Sequence, residues 1–194
     1  MHLASGTAMD DAATIADLIW ETDPEMCEFV FGDRETWHRC CAIEWLAELG
    51  LHSSSCASVA KRNEKIVGLL IAYPQPEMAS RYAATVARYE TNVGRRMEAV
   101  GWLFPVIPEK TLYVFNLAVA PALRGQGIGR LLLTAAEEHA DRVGSTEVHL
   151  DAPATSPAVR FYERMGYAKL TETRLLAPAT SIPSHYRMYK TLRC

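Results

Sequence analysis

The chain has 194 residues, 49% hydrophobic and 22% charged, with a formal net charge of −3. That balance suits a globular protein long enough to bury a substantial core, and it supplies no global positive field for nucleic acid or anionic lipid. The longest apolar stretch, Ile66 to Tyr73, is far too short to cross a bilayer as a helix.

The amino terminus, MHLASGTAMDD, shows neither the basic nor the apolar region of a signal peptide. The cysteines are Cys27, Cys40, Cys41, Cys56 and Cys194, an odd number without a secretory signal, so reduced thiols in a cytoplasm are expected. DDAATIADLIWE places Ile15, Leu18 and Ile19 at helical spacing behind a candidate Asp10 cap, and Asp23-Pro24 reads as the stop. A second helix is expected over Arg34 to Leu49, where Trp37, Cys41, Trp45 and Leu49 recur every four residues before Gly50. CASVAKRNEKIVGLLIAY then reads as an antiparallel hairpin around Lys61 to Lys65.

Pro74 to Lys110 is too long for a structureless loop in a compact domain. Tyr82, Val86, Tyr89 and Val93 share one helical face, so a helix is expected there, followed by an apolar cluster from Met97 to Val106. The aromatics Tyr82, Tyr89, Trp102 and Phe104 are expected to pack under this insert, with a pocket wall or a subunit interface as alternatives, and a homodimer is compatible with them. TLYVFNLAV is a strong strand, followed by a helix with Ile128, Leu131, Leu132, Ala135 and Val143 on its apolar face and Gly144 as its stop. STEVHLD reads as a strand, SPAVRFYERM as a short helix ended by Gly166, and YAKLTETRLL and SHYRMYKTL as two last strands. No repeat or linker divides the chain, which reads as one domain over 1–194.

Between the strong strand and the long helix lies APALRGQGIGRLLL, with three glycines in five positions at the mouth of a helix. A helix N-terminus offers unpaired N–H groups and a dipole that favours negative charge. Glycines let those groups approach an anion, and Arg124 and Arg130 add positive charge, so the turn is a candidate phosphate or pyrophosphate site. A turn that merely redirects the chain explains Gly129 poorly, since glycine inside a first helical turn costs about 1 kcal/mol relative to alanine. The nucleoside-triphosphate loop is excluded because Arg130-Leu131 stands where Lys-[Ser/Thr] is required. The dinucleotide fingerprint G-x-G-x-x-G is nearer, with Asp151 at the distance of a ribose-binding acid, but the spacing here is G-x-G-x-G and PALR separates the turn from its strand.

Leu117-Ala118-Val119-Ala120-Pro121 followed by Arg124-Gly125-Gln126-Gly127-Ile128-Gly129 resembles the R/Q-x-x-G-x-G/A signature of the GNAT N-acetyltransferase superfamily. TSPAVRFYERMGY, Thr155 to Tyr167, is similar to that family's N-x-x-A-x-x-x-Y-x-x-x-G-F segment, and RMYKTL to its last strand. The resemblance implies an α/β fold with a mixed, twisted sheet of about six to seven strands flanked by helices; it does not account for the insert at about 74–110, which is placed between the third and fourth strands. It implies transfer of an acetyl group from acetyl-CoA to a primary amine of a small molecule or peptide, with no metal. It assigns cofactor contacts to Leu117, Ala118 and Val119 on the strand, and to Arg124, Gly125, Gln126, Gly127, Ile128, Gly129 and Arg130 in the turn. Thr155, Ala158 and Tyr162 complete the set, with Tyr162 also the catalytic acid for the leaving thiolate.

The chain departs from the family at Thr155, where asparagine is common, and in TLYVFNLAV, which lacks the carboxylate that strand often supplies. Glu109, Asn116 through a water, and His185 are candidate bases. A non-catalytic acyl-CoA-binding module and a dinucleotide-binding oxidoreductase remain the competing functions. His38 and Cys41, three apart, read as a buried helix face rather than metal ligands, and His139 and His149 as surface positions. Thr22 to Gly32 and the insert are expected to shape the acceptor pocket.

Overall fold

A computed structural model describes residues 1–101, 103–175 and 182–192. Its described residues form one seven-stranded mixed sheet in the order β1-β2-β3-β4-β5-β7-β6. The strands are β1 (His2–Ser5), β2 (Ala57–Arg62), β3 (Lys65–Pro74), β4 (Thr111–Val119), β5 (Glu147–Pro153), β6 (Ala168–Thr173) and β7 (His185–Thr191). Only β4 and β5 run parallel; every other neighbouring pair is antiparallel. The α/β mixed sheet expected from the sequence is the fold observed. The end of the YAKLTETRLL reading, at Leu176, and the residues Trp102 and Cys194 lie outside the described residues.

The hairpin β2–β3 turns at Asn63 and Glu64, both in the left-handed region with φ of 50° and 61°, which matches the right-handed twist of the flanking strands. β1 was not legible in the sequence: four residues pair with β2 at the sheet edge and supply only partly buried side chains.

Seven helices flank the sheet. α1 (Ala12–Trp20) is capped by Asp11, not Asp10; Asp10 bonds Thr7 and pairs with Lys61 at 2.8 Å. The Asp23-Pro24 stop of α1 is also a start. The Asp23 carboxylate accepts from the Met26 N–H at 3.1 Å, and Pro24 occupies the first turn of α2 (Pro24–Phe31). α3 (Arg34–Leu46), capped by Asp33 at 2.7 Å, ends three residues before Leu49. The insert holds two helices, α4 (Met78–Val86) and α5 (Thr91–Gly101), rather than one. The break exists because Arg88 reaches out to Glu44 Oε1 (2.8 Å) and the Leu49 carbonyl, while Tyr89 packs edge-on against Phe31 at 5.9 Å. α6 (Ile128–Arg142) and α7 (Ala158–Arg164) complete the set.

Two apolar layers sandwich the sheet. On one face, α1, α2, α3 and α5 cover Val59, Leu69, Ile71, Tyr73 and Tyr113. On the other, α6 and α7 cover Leu70, Ala72, Leu112, Val114, Val148 and Leu150. The α6 face is rotated from the expected one: Leu132, Leu133, Ala136 and Ala140 are buried, whereas Leu131 and Ala135 are half-buried and Val143 is 43% exposed.

Candidate active site

The sheet is split at its centre. β4 and β5 pair from Thr111↔Glu147 to Val114↔Leu150 and then part. The cause lies in β4. Against β3, Ile71 faces Asn116 and Ala72 faces Val114, so Phe115 is an extra residue that bends the strand. Beyond it Asn116 to Val119 keep only β3 as a partner, while Asp151 to Pro153 keep only β7. The edge of β4 that faces the gap therefore carries unpaired backbone groups. A cavity of about 1040 Å³ passes through the split from the glycine turn to a chamber among α1, α2, α4 and α5.

At one end the α6 N-terminus opens into this cavity. Gly125 and Gly127 have φ of 78° and 84°, and a Cβ on either would meet nothing within 4 Å, so their need for glycine is conformational and the space beside them is open. Gly129 is different: a Cβ there would lie 3.3 Å from Phe161 of α7, so packing between the two helices explains it. Gly127 is the N-cap and no side chain caps the helix, leaving the first-turn N–H groups free of side-chain partners. Arg124, Gly125, Gly127, Gly129 and Arg130 line the cavity. Neither Arg124 nor Arg130 makes an ion pair among the described residues, although the Arg124 Nε donates to the Val119 carbonyl at 3.2 Å. Gln126 and Ile128 do not line it. The Gln126 side chain accepts from Arg62 at 3.1 Å, and Ile128 is buried beneath the turn, so what they bring to the cavity end is backbone.

The remaining residues expected at the site line the same cavity: Leu117, Ala118 and Val119 on β4, and Thr155, Ala158 and Tyr162 across the gap. Tyr162 is buried beside Phe161 and Tyr167, and burial pushes its phenol well above the usual range. It stays a hydrogen-bond donor at any ordinary pH.

At the other end, groups distant in sequence converge. The His185 Nε2 lies 2.8 Å from Asp23 Oδ2, and Nδ1 lies 3.0 Å from the Pro183 carbonyl. Both ring nitrogens thus lie within hydrogen-bond distance of an oxygen. Asn116 Nδ2 donates to Thr22 Oγ1 at 3.3 Å, while that hydroxyl donates to the Ile19 carbonyl. This fixes the amide orientation and leaves Asn116 Oδ1 buried without a partner among the described residues. Of the three candidate bases, Asn116 and His185 line the cavity; Glu109 is exposed and does not.

His52 is a cavity residue that no motif marks. It sits buried between Trp37 and Phe115, each ring 5.0 Å away, and burial pushes its imidazole down to about 3. Below the split, Asp151 accepts from Arg187 at 2.8 and 2.7 Å and from Tyr113 at 2.7 Å, so its carboxylate is committed within the core and is not free to bind a ribose.

Other readings resolve elsewhere. Cys41 is fully buried, whereas His38 pairs with Asp17 at 3.1 Å. His149 is not a surface residue: it is 1% exposed, bonded to Glu147 at 2.9 Å and stacked near Tyr189, because β5 is covered on both faces. Among the insert aromatics, Tyr82 and Phe104 line the cavity and Tyr89 packs in the core. Among the described residues no helix is long and apolar enough to cross a membrane.

A split parallel pair with a glycine-rich helix N-terminus at its mouth defines a class. Residues 13–167 match the model of the acetyltransferase (GNAT) family, and the chain belongs to that family. Its curated relatives include an uncharacterized N-acetyltransferase, YdgE, of Bacillus subtilis (strain 168), 32% identical over 83 residues, which are 40% of this chain and 52% of that protein. A streptothricin acetyltransferase of Streptomyces lavendulae is 31% identical over 84 residues, 43% of this chain and 44% of that one. These matches span about half the length of the relatives. Among solved structures, an N-acetyltransferase from Staphylococcus aureus Mu50 aligns over 98% of this chain and 100% of its own with a TM-score of 0.77 at 16% identity. A Bacillus subtilis acetyltransferase in complex with CoA aligns over 99% of both chains with a TM-score of 0.58 at 14% identity. These two likenesses concern the fold.

Proposed function

We propose that the chain transfers an acetyl group from acetyl-CoA to a primary amine by direct attack. The observation that carries this reading is the continuous cavity through the β4/β5 split, cationic at one end and acidic at the other. Arg124, Arg130 and Arg164 line the end near α6; Glu21, Asp23 and Glu25 line the end near α2. The first suits a pyrophosphate on a helix N-terminus, the second an amine that carries positive charge in water.

In this reading the first-turn N–H groups of α6, with Arg124 and Arg130, hold the pyrophosphate. The unpaired edge of β4 at Leu117 to Val119 takes the pantetheine arm as an added strand would. Thr155 and Ala158 border that arm from the opposite side. The amine nitrogen attacks the thioester carbonyl carbon; the C–N bond forms as the C–S bond breaks. Backbone N–H groups on the β4 edge stabilise the carbonyl oxygen as it gains charge. Tyr162 gives its proton to the departing thiolate, and the phenolate is restored by the proton that the attacking nitrogen loses on becoming an amide; burial keeps the phenol protonated until that exchange.

Deprotonation of the amine is assigned to water. An alkylammonium with a pKa near 10.4 must lose a proton before attack, yet β4 has no carboxylate, both His185 nitrogens are engaged, Glu21 and Asp23 are paired with Arg34 and His185, and Glu25 is exposed to solvent. Asn116 Oδ1, without a partner among the described residues, is an acceptor that can hold an amine N–H while lacking basicity of its own. Release of free thiol from acetyl-CoA, followed with and without a panel of primary amines, tests the reading. Amine-dependent release is expected. Tight acetyl-CoA binding without turnover of any amine would favour the non-catalytic acyl-CoA-binding module instead.

A further inference from the structure

We infer that the acceptor is an amine carried on an apolar, ring-sized body with few or no hydroxyl groups. This rests on the acetyltransfer reading above and specifies its substrate class.

The inference follows from how the chamber separates its polar and apolar walls. Its charged and hydrogen-bonding groups gather around residues 21–25: Asn116 bonds Thr22, which lies between Glu21 and Asp23, Asp23 pairs with His185, and Glu25 follows at the start of α2. Phe115, the bulged residue next to Asn116, begins the opposite kind of wall. Rings continue from it through His52 and Trp37 to Phe31, with centroid separations of 5.0, 5.0 and 4.6 Å. Met97 and Val100 of α5 close this wall from the insert, and both line the cavity. The wall has few polar atoms: the Trp37 indole N–H donates to the Ala16 carbonyl, and His52, buried and held neutral, leaves one ring nitrogen, Nδ1, without a partner among the described residues.

An amine at the polar cluster would therefore carry its body into surroundings of aromatic and aliphatic carbon. A flat apolar body gains from burial there, and stacks on the ring wall. A hydroxyl there has only His52 Nδ1 or the Tyr82 phenol to meet, and each further one loses water without gaining a partner, which weakens binding roughly tenfold or more for each such group. A second ammonium fares worse, because no carboxylate lies in that wall. The insert has a role in this account. It supplies the α5 side of the wall, and the buried Glu44–Arg88 and Arg81–Gly50 contacts fasten it over the chamber.

The test uses 2-phenylethylamine, putrescine and an aminoglycoside with two readouts: kcat/KM from thiol release, and Kd by calorimetry on the CoA-loaded protein. Phenylethylamine is expected to exceed both others at least tenfold in each. Equal or better binding of putrescine or the aminoglycoside would overturn the inference, whatever the turnover. Preferential binding of phenylethylamine with no turnover of any amine would instead sink the acetyltransfer reading and leave the shape of the acceptor standing. Val100→Asp, which puts a charge in the ring-side wall, should cut the phenylethylamine-to-putrescine ratio at least fivefold. Retained thermal stabilisation by CoA reports that this variant is folded. Met97→Ala, a milder change, should move the preference toward a larger ring system such as tryptamine, and an unmoved preference in both folded variants would count against the wall.

Discussion

Replacing Gly127 by alanine separates a glycine turn that binds an anion from one that only redirects the chain. Gly127 is the N-cap of α6 with φ of 84°, and an added Cβ would meet no atom of the protein within 4 Å. The folded chain therefore suffers only the left-handed backbone cost of a non-glycine residue, about 1–2 kcal/mol. For a domain of this size that lowers Tm by about 2–8 °C. If the cavity beside Gly127 receives the pyrophosphate, the methyl group also stands in the ligand's path. KM for acetyl-CoA should then rise at least tenfold, well beyond the stability loss. S-acetylpantetheine, which lacks the pyrophosphate, should keep its KM within about twofold. Thermal melts and initial rates on both donors measure the two effects separately. Equal changes in KM for the two donors would refute the pyrophosphate assignment and reduce the turn to a structural feature.

Tyr162→Phe should lower kcat about a hundredfold with little change in KM for acetyl-CoA, as loss of a general acid does; an unchanged kcat across pH would remove Tyr162 from the mechanism. Asp151→Ala should cost about 3–5 kcal/mol in urea unfolding, because Arg187, 0% exposed, keeps its charge and loses its partner. A loss below about 1 kcal/mol would contradict that network's role. His52 gives a pH signature: its pKa is about 3 in the fold against 6.5 in the ordinary state, so below pH 6.5 the unfolded chain binds a proton that the native one does not. Stability should fall by up to about 1.4 kcal/mol per pH unit on this account as pH drops from 6.5 toward 3. His52→Gln should flatten the slope, and an identical slope in the variant would refute the assignment.

The glycine-turn end of the cavity was legible because it is local. The strand TLYVFNLAV, the turn and the first residues of α6 are contiguous, and a glycine cluster at a helix mouth has a physical meaning before any fold is known. Even there the structure divides the glycines by cause. Gly125 and Gly127 serve the backbone, while Gly129 makes room for Phe161, a contact between two helices that no spacing within the turn reveals.

The other end of the cavity was not legible because it is assembled from long-range pairs. Asp23 and His185 lie 162 residues apart, and Asn116 meets Thr22 across 94. Asp-Pro carries two meanings, a stop for one helix and a cap with a first-turn proline for the next, and only the packing of α2 against α5 selects both. The single stripe of Tyr82, Val86, Tyr89 and Val93 has the right period for one helix; the tertiary pull of Glu44 on Arg88 makes it two. His52 lies in a short loop two residues after Gly50 with no motif around it, and its ring cage comes from α3 and the β4 bulge. The bulge itself leaves no mark in TLYVFNLAV, yet it bends β4 away from β5 and opens the cavity.

The central claim, acetyl transfer from acetyl-CoA to an amine, is tested most directly by mass spectrometry of an amine incubated with the protein and acetyl-CoA labelled in the acetyl group. The account predicts an N-acetylated amine carrying the label, formed in step with free thiol. Thiol release that leaves the amine unlabelled, or cofactor binding with neither product, would contradict it.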